Sequence, residues 1–156
     1  MLKPGAVAPQ FTATLEDGSA FDLAAFRGKR HVVLYFYPKD FTAGCTAQAC
    51  AFRDNYSEIG RYGAVLFGIS GDGEASHTRF KQRHELPFPL IADAGRSVHR
   101  LYEVQGLLPF ITPRITYVID KEGVIRAAIR HDIRVTEHVP DVVEALKELE
   151  PAADAS

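Results

Sequence analysis

Two periods alternate along this chain. From His31 to Tyr37 the residues are almost all β-branched or aromatic, and Ala64 to Ser70 reads the same way. Apolar runs of this length predict central strands covered on both faces. A shorter run, Leu90-Ile91-Ala92, predicts a third strand. Helical spacing takes over between the runs. Residues 43 to 61 place Phe52, Tyr56 and Ile59 on one face, Glu74 to Arg83 mixes Glu with Lys and Arg, and Arg96 to Tyr102 is a short helix. Thr136 to Leu149 is amphipathic, with Val139, Val142, Val143, Leu146 and Leu149 as its apolar stripe.

Turn residues mark two hairpins. Phe11–Leu15 and Phe21–Leu23 flank Glu16-Asp17-Gly18, and Ile115–Asp120 and Val124–Arg130 flank Lys121-Glu122-Gly123. Strands alternating with helices, then a hairpin and a closing helix, give the order of a thioredoxin-like α/β sandwich: a central mixed sheet flanked by helices, with an N-terminal hairpin extension. One domain is expected over residues 1–150, with residues 151–156 a frayed tail.

Composition narrows the function. A net charge of −2 provides no basic footprint for nucleic acid or an anionic membrane. No apolar run is long enough to span a bilayer, and Met1–Ala6 has no apolar signal core, so a cytoplasmic location is expected. The histidines His31, His77, His84, His99, His131 and His138 do not form a metal-ligand pattern, and most are expected at the surface. Neither a cofactor nor a metal is expected. Arg126, Arg130, His131 and Arg134 read as a solvated basic face.

The chemistry concentrates in Tyr37-Pro38-Lys39-Asp40-Phe41-Thr42-Ala43-Gly44-Cys45-Thr46-Ala47-Gln48-Ala49-Cys50, which holds the only two cysteines. Cys45 falls where a strand gives way to a helix. Unpaired N–H groups and the positive end of the helix dipole there favour thiolate over thiol. Several readings of the pair compete. Cys45 could be a buried, inert thiol. Structural zinc needs four ligands in closely spaced pairs, and no His is near. A cysteine phosphatase needs Arg six residues after its nucleophile, but positions 51 and 56 are Ala51 and Tyr56. A dithiol oxidoreductase normally has its cysteines two residues closer.

The pattern Pro38-x-x-x-Thr42-x-x-Cys45 resembles the peroxiredoxin active-site motif, and Leu34–Thr42 with Gly44-Cys45-Thr46 is closest to the peroxiredoxin Q, or bacterioferritin comigratory protein, subfamily. Gly68-Ile69-Ser70 with Asp72, Ser76-His77 and Phe80 continues the likeness. So do Leu86–Leu90 with Asp93, and Arg114–Asp120 with Gly123. The resemblance implies a thiol-dependent peroxidase acting on hydrogen peroxide and organic hydroperoxides. Cys45 would be the peroxidatic nucleophile, converted to a sulfenic acid. Arg114 would be the cation that stabilises the thiolate and the developing oxygen charge. Thr42 would hydrogen-bond the peroxide, and Pro38 would shield the thiolate from water. Plainer roles are open for each: a side-chain helix cap for Thr42, a surface ion pair for Arg114, a strand end for Pro38.

The resemblance also makes Cys50 the resolving thiol of an intramolecular disulfide, reduced by a thioredoxin-type partner, in a monomer. On one regular helix, five residues give roughly 500° of turn and about 7.5 Å of rise, so the two Cα atoms stand roughly 8.7 Å apart. A disulfide needs about 7 Å or less, so the helix start must unwind first. Cys50 as a plain core residue, with an external thiol resolving, is the alternative. Two departures stand out. Ala43 replaces the usual Pro, removing a fixed φ at the helix start. Gly106–Pro113 is unusually apolar and could line the pocket mouth, form a contact patch or be a buried loop. A protein dithiol-disulfide oxidoreductase and a redox-regulated binding or holdase protein are the rival functions.

Overall fold

The structure is a computed structural model, and it describes residues 1–105 and 112–150. Seven strands form one sheet in the order β2-β1-β5-β4-β3-β6-β7. The strands are β1 (Thr12–Leu15), β2 (Ala20–Asp22), β3 (His31–Phe36), β4 (Ala64–Ser70), β5 (Leu90–Ala92), β6 (Ile115–Ile119) and β7 (Ile125–Arg130). Strands β3, β4 and β5 run parallel, and every other pairing is antiparallel, so the sheet is mixed. The expected N-terminal hairpin does pair as β1–β2, and β1 joins it to the edge of β5.

Strand β3 lies inside the sheet between β4 and β6, and all six of its residues are buried. Its period of two divides the core. Val33, Tyr35 and Tyr37 pack with Cys45, Ala49 and Phe52 of α1 (Ala43–Asp54), Ile59 of α2 (Tyr56–Arg61), Phe80 of α3 (Glu74–His84) and the stripe of α5 (His138–Leu149). Val32, Leu34 and Phe36 face the other way, with Phe67, Ile69, Ile91 and Val98 of α4 (Ser97–Leu101). Tyr35 lies opposite Gly68 on β4, where a Cβ would stand 2.8 Å from the Tyr35 hydroxyl. Any larger residue at 68 would displace that ring.

The helix expected over 43 to 61 is two helices. Asn55 (φ −116°, ψ 12°) leaves helical geometry, its N–H turns back to Phe52 O at 3.2 Å, and its Nδ2 donates to Ala51 O at 2.8 Å. An Asn side chain that bonds its own backbone competes with helix continuation. A short 3-10 turn over Leu23–Phe26, capped by Asp22 Oδ1, was not signalled by periodicity. The tail 151–156 lies outside the described residues.

The histidines correct the surface expectation, for His31, His77, His99 and His138 are all buried. The basic face is solvated as expected, with Arg126, Arg130 and Arg134 exposed, and three of its groups also pair on the surface: Arg126 with Asp120, Arg130 with Asp132 and His131 with Asp141. Buried polar rings survive because each finds partners. His138 Nε2 donates to His131 O at 3.0 Å, and Nδ1 lies 2.9 Å from Thr116 Oγ1, a hydroxyl that can donate to the neutral ring.

Burial pushes the His138 pKa down from 6.5 to about 4, with His131 and Arg114 adding repulsion and the His131 carbonyl opposing. Between those values the unfolded chain binds the proton and the folded chain does not, so stability falls as pH falls from 6.5 towards 4. The loss is on the order of 3 kcal/mol. Thermal unfolding across this range should show the slope, and His138→Gln, which cannot titrate, should flatten it. An equal slope in the variant would assign the acid sensitivity elsewhere.

Candidate active site

Strand β3 ends at Phe36, and the chain crosses the C-terminal edge of the sheet before entering α1. The Tyr37 N–H still bonds Ile69 O at 3.1 Å, which carries the half-buried Pro38 to the strand tip. Thr42 is the last extended residue (φ −75°, ψ 151°), and its carbonyl accepts the Thr46 N–H at 2.9 Å. Thr42 is therefore the N-cap by position, but its side chain does not cap. Its hydroxyl donates to Lys39 O at 2.9 Å instead, bracing the loop from inside.

Cys45 lies in the first turn of α1, fully buried. Arg114, nearly buried just before β6, sends Nη1 to Cys45 Sγ at 3.1 Å and to Gln48 Oε1 at 3.0 Å. This excludes the surface ion pair for Arg114. The guanidinium and the N-terminal end of α1 thus both face the buried sulfur. The Arg114 backbone is fixed too, its N–H donating to Asp132 Oδ1 at 2.8 Å. Partial burial works against the Asp132 charge, but the Arg114 N–H and the Arg130 guanidinium hold its carboxyl below the ordinary carboxylate range.

Position 44 permits the contact. A Cβ built on Gly44 would stand 2.6 Å from Arg114 Nη2. Only a residue without a side chain lets the guanidinium lie across the helix start.

A polar hub holds the loop from the far side. Asp40 Oδ1 accepts from the Tyr37 hydroxyl at 2.6 Å, and its Oδ2 contacts Ser76 Oγ at 2.8 Å and His77 Nδ1 at 2.7 Å. The Asp40 N–H donates to Asp72 Oδ2 at 2.8 Å. Burial, with the Asp40 charge among the lesser causes, raises the Tyr37 pKa well above its usual value, so the phenol stays a donor. Asp40, Asp72 and His77 bring ligand-type atoms within 4.8 Å of one another. Their oxygens and nitrogens are already bonded among themselves, and His77 Nε2 donates to Ile91 O at 2.9 Å, so a cation would have to displace these bonds.

Cys50 is half-buried on α1, and both cysteines are free. They stand on one unbroken helix, beyond disulfide distance. Of the residues expected at the site, Cys45 and Arg114 are in contact, Pro38 and Thr42 form the entering loop, and Cys50 stands apart along α1. Gly106–Ile111, the greater part of the apolar segment, lies outside the described residues.

The match to known proteins follows this geometry. The AhpC/TSA family model matches residues 4–128. The chain belongs to the AhpC/TSA family, in its peroxiredoxin Q branch. It is 43% identical over 146 residues to the chloroplastic peroxiredoxin Q of Oryza sativa subsp. japonica, covering 93% of this chain and 67% of that one. The Suaeda salsa protein of that name is 41% identical, covering 93% and 68%. Among solved structures, peroxidoxin BcpB of Mycobacterium tuberculosis superposes with a TM-score of 0.90 at 29% identity, covering 96% and 99%. The bacterioferritin comigratory protein of Xanthomonas campestris, described with alkyl peroxide reduction activity, gives 0.84 at 28%, covering 95% and 97%. The fold is thus thioredoxin-like, and the chain is a thiol-dependent peroxidase.

Sequence reasoning missed Gln48, Asp40 and Asp132 as supports of this peroxiredoxin site. Gln48 could have been found, since three residues on a helix bring it beside Cys45. Asp132 gave no signal, because it acts through the backbone of Arg114. The geometry predicts that Gly44→Ala displaces the guanidinium and slows Cys45 oxidation by tenfold or more (about 1.4 kcal/mol per tenfold). Stability should change little, since Ala suits a helix. Stopped-flow oxidation within twofold of the parent protein would remove Gly44 from this role.

Proposed function

We propose that the chain reduces hydroperoxides through Cys45, resolves the product with Cys50 in the same chain, and is recycled by a thioredoxin-type dithiol protein. The observation that carries this reading is the 3.1 Å contact from Arg114 Nη1 to the buried Cys45 Sγ. The Cys45 thiolate attacks the terminal peroxide oxygen, the O–O bond breaks, and the alkoxide leaves to take a proton from water. Arg114 stabilises the charge passing from sulfur to oxygen. The Thr42 hydroxyl proton is committed to Lys39 O, so its oxygen accepts the proton of the substrate O–H. Pro38 closes the strand-side wall of the pocket.

Cys45 then carries a sulfenic acid. The first turns of α1 unwind, the Cys50 thiolate attacks that sulfur, and hydroxide leaves as water after protonation. Two electrons from the dithiol partner return both thiols. Organic hydroperoxides fall within the range of this site, a reading supported by the Xanthomonas bacterioferritin comigratory protein described with alkyl peroxide reduction activity. The chain acts as a monomer in a reducing, cytoplasmic compartment, where a two-thiol protein keeps its disulfide transient. Among the described residues no helix is long and apolar enough to cross a membrane.

Two variants test the assignment. Cys45→Ser should abolish peroxide consumption. Cys50→Ser should complete one rapid oxidation and stop at a sulfenic acid, visible by intact mass. Equal loss of the first turnover in both variants would overturn the assignment. A disulfide-linked dimer after one equivalent of peroxide would exclude Cys50 as an intramolecular resolver.

A further inference from the structure

Helix α3 touches the active-site segment at both ends. At its first turn Ser76 Oγ and His77 Nδ1 meet the Asp40 carboxylate at 2.8 and 2.7 Å. At its last residue the His84 carbonyl accepts from Arg53 Nη1 at 2.8 Å. That guanidinium meets the negative end of the α3 dipole and satisfies a carbonyl the helix cannot use itself. Between the two contacts the Phe41 ring stands edge-on to Phe80 at 5.2 Å. Phe41 is half-exposed and holds φ at 67°, a left-handed conformation that costs a non-glycine residue unless its neighbours fix it.

Helix α3 is itself fastened to the sheet. His77 Nε2 donates to Ile91 O on β5 at 2.9 Å, Thr78 Oγ1 to Glu16 O at 2.9 Å, and Lys81 Nζ to Glu16 Oε1 at 2.6 Å. None of these bonds involves α1. Melting α1 therefore leaves α3 in place.

We propose that α3 is the brace that limits the redox unwinding of α1 to residues 42–52, with Asp40 and Arg53 as its two positioning residues. This rests on the reading of Cys50 as resolver, because only that bond requires α1 to open. Both cysteines fall between the clamps. The loop carrying Pro38 and the exit towards α2 fall outside them, so the pocket re-forms from fixed ends once the bond is reduced. Local unfolding in a fold proceeds in cooperative units, and these two clamps stand at the borders of the α1 unit.

Amide exchange read by mass spectrometry on the full chain, reduced and after one equivalent of peroxide, tests the borders. In the parent protein, exchange should accelerate across residues 42–52 and stay slow in α2, α3 and β3. Arg53→Gln should let the acceleration run on into α2 and the last turn of α3. Ser76→Ala, a milder cut at the other clamp, should extend it back through Lys39 to Phe41. Arg53→Lys keeps a donor for His84 O and should restore the parent border.

In reduced Arg53→Gln, Cys50 should be alkylated about tenfold faster, the factor expected for one lost charge-assisted bond. Disulfide closure should be no slower than in the parent. A general loss of stability would instead speed exchange in β3 as well, and that result would overturn the proposal. So would borders unchanged in both Arg53→Gln and Ser76→Ala. Intact mass separates the two layers of the argument. If the parent forms no Cys45–Cys50 bond, the resolver reading falls and the brace with it. If the bond forms and the borders ignore the clamps, only the brace falls.

Discussion

The guanidinium of Arg114 reaches Cys45 Sγ across a helix start that carries no side chain at position 44. Most of the site can be traced from that one contact. A fully buried sulfur gains little from solvent, so its charged form needs a partner built into the protein. Arg114 can be that partner only if its own charge is held still and its hydrogen bonds are filled. Gln48 takes one, the sulfur takes another, and Asp132 fixes the backbone from which the side chain springs. These groups come from α1, the start of β6 and the loop after β7. The sheet edge is the place where those three segments meet.

In the cycle proposed for it, the site must also come apart. Both thiols ride on a single helix whose regular spacing keeps them out of bonding range, so the chemistry of the second step opposes the secondary structure that enables the first. A helix can serve both states only if the rest of the fold does not depend on it. Here the other helices and the sheet have separate anchorage: α3 to β5 and the turn after β1, and α5 through His138 to β6 and the carbonyl of His131. Phe52 and Ala49 are the core groups that α1 supplies to the stacked rings of Tyr35 and Tyr37. Ala43 in place of a residue with locked φ fits the opening of the helix start that the proposed cycle requires.

Buried polar groups do much of this fastening. His77, His99 and His138 are fully buried, and each is bonded to an oxygen on a neighbouring segment. An unpaired polar group in such a place would cost more than the bond contributes, so these networks specify one arrangement of loops rather than add much net stability. His138 among them makes the molecule sensitive to acid, because a ring held neutral by burial must be forced to accept a proton.

Periodicity alone determined the central strands and the amphipathic α5, because an apolar run or stripe reports directly on which faces must leave water, and turn residues marked both hairpins. The motif around Cys45 singled out that thiol, and its likeness to a family brought in Arg114, which the structure places against the sulfur. Local sequence also held the reason for the break at Asn55, but a single Asn inside a helical stripe is too weak a sign to read in advance. What only the tertiary structure decided is where polar side chains spend their hydrogen bonds. Thr42 could cap its helix or brace its loop, and the nearby Lys39 carbonyl settled it. The histidines looked like surface residues because their polarity says nothing of partners, and those partners lie on other segments of the chain. Asp40 and Arg53 gave no pattern at all, since their meaning lies in α3, which reaches them only once the sheet has set the two helices side by side.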